Sequence, residues 1–357
     1  MKNRLAAFSI PLFVSVGMVT GSALADDRLF IDRDVVTFAV LPDGVRFPEG
    51  ITANPANGDI YVGTFDNGNP NNKLLRYNRA GQLIAQRDFG ATPLLGLGFD
   101  AGKVYILNFG MSKVQRIAAA FDSTTPIEDV ATLPGIGAPA NRTEGNPDRS
   151  SDTIIFGSNS FPAPNALEFD KRGNLFVSDS FQGAVFRVKN VRTCKTPCFV
   201  ETFVHDPLLA TAGFPPFGAN GLAFNGDDSA LFIANTGDDR VLRLDMKSKM
   251  ISVFAESLNG ADGIVFDEQG RLWVAANQAD EVVALNANGK IVVKLGEFRG
   301  INRDGTPDGL LFPASPVIVG DEIFVTNLAI ALTPAVGDEP EEEVTRWTVS
   351  RMKLPRR

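Results

Sequence analysis

Residues 261–285 open with Ala261-Asp262-Gly263-Ile264-Val265-Phe266-Asp267, continue through Arg271-Leu272-Trp273-Val274-Ala275-Ala276-Asn277, and end with Glu281-Val282-Val283-Ala284-Leu285. Three short runs of Val, Ile, Leu and aromatic residues, separated by Asp, Asn and Gly, read as three strands joined by tight turns. The same plan recurs upstream. Asn220-Gly221-Leu222-Ala223-Phe224 leads to Ala230–Asn235 and Arg240–Asp245, and Asn165–Asp170 leads to Leu175–Asp179 and Ala184–Val188. Glu49-Gly50-Ile51 leads to Asp59–Gly63 and Lys73–Tyr77, and Gly96–Asp100 to Val104–Asn108 and Val114–Ile117. A weaker sixth copy is Pro316–Val319 followed by Glu322–Asn327, and several copies add a fourth strand, such as Met250–Phe254 and Lys290–Leu295.

Four-stranded repeats of about 40–55 residues predict propeller blades. One blade cannot bury both of its faces; six packed around an axis do so, and leave their innermost strands lining a tunnel. The expected fold is all-β, a single six-bladed β-propeller with four-stranded antiparallel blades over residues 26–357. Val35–Leu41 and Val344–Lys353 are the candidates for completing the last blade and closing the ring. The longer gap at 118–164 holds a polar, turn-rich segment, Asn141–Ser150, which reads as a loop over one face of the disc, either a plain insertion or a lid. No long helical periodicity calls for a helical domain.

Composition agrees with a folded, turn-rich chain. Of 357 residues 44% are apolar and 21% charged, with 34 Gly and 22 Pro, which excludes a disordered or fibrous protein. Acidic residues (42) outnumber basic ones (34), and no Lys/Arg stripe interleaved with aromatics offsets them, which argues against a nucleic-acid partner. Lys2 and Arg4, an apolar run from Leu5 to about Val19, and Ala23-Leu24-Ala25 read as a cleaved signal peptide, Met1–Ala25; the alternative is an uncleaved anchor. No later stretch reaches spanning length, so the expectation is export to the periplasm or beyond, with no membrane partner after cleavage. The two cysteines, Cys194 and Cys198, are expected to bridge in an oxidising compartment, the alternative being free thiols.

The chemistry is expected where the innermost strands begin. Just before the Gly-Leu/Ile of the first strand stand Glu49, Asn220 and Asp262, with Asn165 in the matching place before Ala166. Asp-Gly and Asn-Gly are common turn dipeptides, so each residue alone has a structural reading. Their recurrence in one register makes them a candidate cage of two carboxylates and two amides. An all-oxygen, doubly negative cage suits a hard divalent cation, Ca²⁺ foremost, whereas zinc would call for His or Cys.

These motifs, Pro48-Glu49-Gly50, Pro164-Asn165-Ala166, Ala219-Asn220-Gly221-Leu222 and Ala261-Asp262-Gly263-Ile264, resemble the senescence-marker-protein/gluconolactonase/regucalcin family of six-bladed propellers in the paraoxonase-like group, over roughly Phe47 to Asn327. The resemblance implies that Glu49, Asn165, Asn220 and Asp262 surround one catalytic divalent cation. It implies hydrolysis of a small-molecule lactone or related ester, with Asp262 as general base and Asn165 orienting substrate or completing the metal shell. Members of that family often place an Arg two residues before the second ligand and an Asp after it; Ala163 and Ala166 stand there instead, which points away from a polyhydroxylated sugar lactone. The lone histidine, His205, reads as a loop residue and cannot supply a paraoxonase-type pair. Asp66–Asn72 reads as a solvated turn, Asp304–Gly309 as a possible pocket rim and Glu339–Glu343 as a solvated acidic loop. The alternative to the enzyme is a non-catalytic binding propeller of the NHL-repeat kind, docking a peptide, glycan or polymer on one face.

Overall fold

The computed structural model of the chain describes residues 29–157, 161–333 and 335–356. The expected signal peptide, Met1–Ala25, lies outside them. Among the described residues there is no α-helix, only four short 3₁₀ turns, and no helix long and apolar enough to cross a membrane.

Six blades form the ring. Blade one is Pro48–Ala53, Ile60–Thr64, Asn72–Tyr77 and Leu83–Gly90; blade two is Leu94–Asp100, Lys103–Asn108, Lys113–Ala118 and Glu128–Thr132. Blade three is Pro164–Phe169, Leu175–Asp179, Ala184–Val188 and Val200–His205; blade four is Ala219–Phe224, Ala230–Asn235, Arg240–Asp245 and Ile251–Ala255. Blade five is Ala261–Phe266, Leu272–Ala276, Glu281–Leu285 and Ile291–Leu295. Blade six takes Pro313–Val319, Glu322–Asn327 and Thr348–Lys353 from the end of the chain and its outermost strand, Val36–Val40, from the beginning. The two segments expected to close the ring therefore do so, by antiparallel pairing of Val36–Val40 with Thr348–Lys353.

Two elements differ from the expectation. Phe30–Asp32 adds a fifth strand to blade five, parallel to Ile291–Leu295, so that blade is neither four-stranded nor wholly antiparallel. Phe30 packs into the core between blades five and six on its way to the closing strand. The gap at 118–164 is not one loop: it supplies the fourth strand of blade two and a hairpin, Arg142–Gly145 with Ser151–Ile154. The hairpin is strapped down by Arg142, which donates to Asp238 at 2.9 Å and to the Pro207 carbonyl at 3.2 Å.

The core lies between blades. Successive strand residues point to opposite faces of a sheet. In blade four, Leu231 and Ile233 join a cluster with Phe176 and Val185 of blade three, while Phe232 and Ala234 join Leu272 and Val274 of blade five. Equivalent clusters fill the other four junctions, from Tyr61 and Leu94 between blades one and two to Val62 and Phe324 between blades six and one. This explains why the strands read as continuous apolar runs rather than alternating ones: both faces are buried. Each fully buried Leu, Ile or Phe contributes about 1.5–3 kcal/mol, and neither face of a blade is covered until its neighbours arrive.

Cys194 and Cys198 are joined as a disulfide across their short loop, Cα to Cα 5.6 Å. His205 is the exposed last residue of the outermost strand of blade three rather than a loop residue.

Candidate metal centre

The innermost strands share one irregularity. Pairing with the second strand runs Pro48 to Thr64 and then jumps to Ile51 with Val62. The same jump occurs at Leu94/Leu97, Pro164/Leu167, Ala219/Leu222, Ala261/Ile264 and Pro313/Pro316. Each break releases the second residue of the strand from the ladder. Those six residues are Glu49, Leu95, Asn165, Asn220, Asp262 and Ala314, one per blade. The four expected ligands therefore occupy equivalent positions of four blades, with Leu95 and Ala314 completing the ring.

Glycine beside these residues has a reason other than a turn. The innermost strands of adjacent blades contact one another around the ring. A Cβ on Gly50 would come within 2.2 Å of the Leu95 carbonyl oxygen, and one on Gly221 within 2.4 Å of the Asp262 carbonyl oxygen. Neither glycine has a positive φ. The Glu-Gly, Asn-Gly and Asp-Gly pairs mark close approach of backbones at the hub.

Glu49, Leu95, Asn165, Asn220 and Asp262 line one cavity of about 100 Å³. All four polar side chains are buried, none more than 5% exposed. Glu49 Oε2, Asn165 Oδ1 and Asp262 Oδ1 are buried without a hydrogen-bond partner in the protein. Burial, and then the neighbouring Asp262, push the Glu49 carboxyl well above its ordinary range. Burial also raises Asp262, against the hydrogen bond from Asn277 that lowers it. Among the described residues no three His, Cys, Asp or Glu side chains gather into a metal site; this cage rests on two carboxylates and two amides.

The residue just past the end of the second strand orients three of the four polar members, Asn165, Asn220 and Asp262. The Ser180 hydroxyl donates its one hydrogen to the Ala219 carbonyl at 2.8 Å, so only its lone pairs face Asn165, whose Nδ2 donates to it at 2.9 Å. The Thr236 hydroxyl likewise donates to the Ala261 carbonyl at 2.8 Å and accepts from Asn220 Nδ2 at 2.9 Å. Each hydroxyl fixes the amide with nitrogen outward, which leaves its oxygen for the hub. In blade five the same position is Asn277, whose Nδ2 donates to Asp262 Oδ2 at 3.0 Å. Gly260 makes room for it: a Cβ there would lie 1.8 Å from Asn277 Oδ1.

Ser180, Thr236 and Asn277 were not expected from the sequence. Their signal is a nearly constant offset, 15, 16 and 15 residues after Asn165, Asn220 and Asp262. The other motifs lie elsewhere. Asp304 is an exposed hairpin tip paired with Arg346 and does not line the cavity, so it is no pocket rim. The Asp66–Asn72 turn is less solvated than expected: Asp66 is buried against Arg46, and buried Asn72 accepts from the Asp66 amide at 2.7 Å. The acidic segment at 339–343 clasps its own loop, Glu339 accepting from the Leu332 amide and Glu342 from the Gly337 amide.

Residues 214–296 match the family model of the SMP-30/Gluconolactonase/LRE-like region. No curated protein matches the sequence. Among solved structures the chain is similar to a regucalcin of Agrobacterium tumefaciens described as a calcium-binding protein, at 16% identity and TM-score 0.59, covering 92% of this chain and 97% of that one. It is similar to a gluconolactonase of Xanthomonas campestris at 14% identity and TM-score 0.54, covering 92% and 91%. It is also similar to virginiamycin B lyase of Staphylococcus aureus at 15% identity and TM-score 0.53, covering 90% and 99%. At these identities the likeness shows the fold, a scaffold that carries unlike activities. The matched stretch spans the innermost strands of blades four and five with Asn220 and Asp262, and in it the resemblance of this six-bladed propeller to the senescence-marker-protein/gluconolactonase/regucalcin family is borne out.

Proposed function

We propose that the chain is an exported hydrolase of lactones or related esters that uses a divalent cation, Ca²⁺ foremost, held by Glu49, Asn165, Asn220 and Asp262. The observation that carries this reading is the set of buried, unpartnered oxygens around one cavity: Glu49 Oε2, Asn165 Oδ1 and Asp262 Oδ1 of the cage, with Asn277 Oδ1 beside them. A buried acceptor without a partner costs about 1–3 kcal/mol, and more where it is charged. Two carboxylates facing one cavity add mutual repulsion, which a cation offsets. The donor set is oxygen alone, as a hard cation prefers. The family match and the calcium-binding relative support the same reading, and the disulfide fits an oxidising destination.

A bound divalent cation supplies polarisation of the ester carbonyl and stabilisation of the developing oxyanion. Asp262 has one oxygen anchored by Asn277 and the other free. It takes a proton from water as the water oxygen bonds to the carbonyl carbon, then returns the proton to the alkoxide as the ester C–O bond breaks. Asn165, its nitrogen held by Ser180, presents a fixed oxygen that orients substrate or completes the cation shell.

The test is metal content after purification, followed by lactone hydrolysis with and without chelator. About one equivalent of divalent ion and chelator-sensitive hydrolysis are expected. A protein whose activity and melting temperature both ignore the chelator overturns the proposal. Thr236→Val tests the orienting hydroxyl. It keeps the side-chain shape, frees the Asn220 amide to rotate, and is expected to weaken Ca²⁺ binding about 10-fold by calorimetry, with an unchanged circular-dichroism spectrum.

A further inference from the structure

The six positions just past the second strands divide into two halves. Blades three, four and five place Ser180, Thr236 and Asn277 there, all turned to the cage; blades one, two and six place Phe65, Phe109 and Leu328. The cavity that holds the cage is walled on its other sides by Phe65, Phe217, Phe312, Leu328, Ile330 and Leu332. Phe312 and Leu328 pack with Ile330 and Leu332 into a separate apolar cluster, and Glu339 secures the Leu332 backbone. Beyond the cage, the polar side chains in the lining are Thr236, whose hydrogen goes to the Ala261 carbonyl, and Asn277, whose Nδ2 donates to Asp262 and whose Oδ1 has no partner. Among the described residues no Lys or Arg lines the cavity.

The wall continues outward as an aromatic arc. Phe65 meets Phe109 edge-on at 5.3 Å, Phe109 meets Phe181 at 6.0 Å and Phe161 at 5.7 Å, and Phe181 meets Phe217 at 5.5 Å. Phe161, on the segment between blades two and three, is 41% exposed. The segment expected as a loop or lid thus contributes a ring to this arc.

We infer that the substrate is an uncharged ester or lactone with an extended apolar body, its carbonyl at the cage and its alkyl or aryl part against Phe65, Phe217, Phe312, Leu328, Ile330 and Leu332. This rests on the hydrolase reading of the same site. A polyhydroxylated lactone would lose its water shell against a wall of six apolar side chains, at a cost for each hydroxyl left unpaired. An anionic substrate would meet two carboxylates and no cationic side chain. An apolar body gains with every methylene buried.

The test uses the mature chain loaded with Ca²⁺ and δ-lactones from δ-hexalactone to δ-dodecalactone, with D-glucono-δ-lactone alongside. kcat/KM is read on the native protein, and Kd by calorimetry on the Asp262→Asn variant without Ca²⁺, so that binding of the apolar body is read apart from the cation and from turnover. Each added methylene should raise both kcat/KM and affinity by about fourfold until the tail outgrows the collar. Phe217→Asn and Leu332→Asn should flatten that slope. Hydrolysis with no dependence on tail length, or with the sugar lactone preferred, overturns the inference while leaving the hydrolase reading intact. Affinity that climbs with tail length without hydrolysis of any lactone supports the collar and sinks the hydrolase reading. Neither hydrolysis nor binding of the longer lactones overturns both.

Discussion

Asp262→Asn should leave a folded propeller whose lactone kcat/KM falls by about 10²–10⁴-fold, the range for losing a positioned general base. The substitution keeps volume and an acceptor for the Asn277 amide, so what it removes is one buried negative charge. That charge has opposite effects with and without cation. In chelator, the native protein holds two buried carboxyl groups against each other in one cavity, and removing one relieves repulsion and desolvation. The variant in chelator should melt at the same temperature as the native protein or higher. With Ca²⁺ at a thousandfold excess over its Kd, linkage stabilises the native protein by about 4 kcal/mol. In a domain of this size that is a rise of roughly 5–10 °C. The variant should show little or none of it. Differential scanning fluorimetry with chelator and with Ca²⁺, beside a lactone assay, reads all three quantities. A variant that still hydrolyses, or whose melting still responds fully to Ca²⁺, would show that Asp262 neither acts as the base nor holds the ion.

The parts of the molecule that repeat were legible in the sequence. Strands Leu272–Ala276 and Ala230–Asn235 announce themselves because both faces are buried and their apolar runs are unbroken. Glu49, Asn165, Asn220 and Asp262 could be found because a ring converts a recurring place in the repeat into a common place in space. The supporting contacts were harder to see. Asn277 follows Asp262 by 15 residues and looked like the end of a strand; that its amide holds Asp262 depends on strand pairing that returns it to the hub. Leu95 and Ala314 share the cage register yet carry no polar atom to betray it. Phe30–Asp32 was missed because a three-residue parallel strand is specified by the edge it meets rather than by its own pattern. The apolar collar was hidden for a related reason: Phe65, Phe217, Phe312 and Leu332 come from four separate connections, and only closure of the ring assembles them. The glycines after the cage residues were visible, but their physical meaning was not, since an Asn-Gly pair reads locally as a turn.

That meaning can be tested directly. Gly221→Ala adds one methyl group at a residue whose φ an alanine tolerates, so backbone strain is not the issue. The added carbon would lie 2.4 Å from the Asp262 carbonyl oxygen, 2.8 Å from the Ile264 amide nitrogen and 3.0 Å from the Gly263 Cα. All three are backbone atoms of the neighbouring innermost strand, and none can swing away as a side-chain tip could. The strands must part, and the strand that moves carries Asp262 while the one that pushes carries Asn220. Overpacking of this kind costs about 1–3 kcal/mol, occasionally more. The expected result is therefore a lower melting temperature together with a Ca²⁺ affinity reduced at least about 10-fold, because the displacement falls between two of the four cage residues. Gly226→Ala is the control: nothing lies within 4 Å of the place its methyl group would take and its φ is not positive, so it should stay within about 0.5 kcal/mol of the native protein. If Gly221→Ala behaved like that control in both stability and cation binding, the blades would not be in contact at the hub, and the carboxylates and amides would lack the fixed spacing that the cage requires.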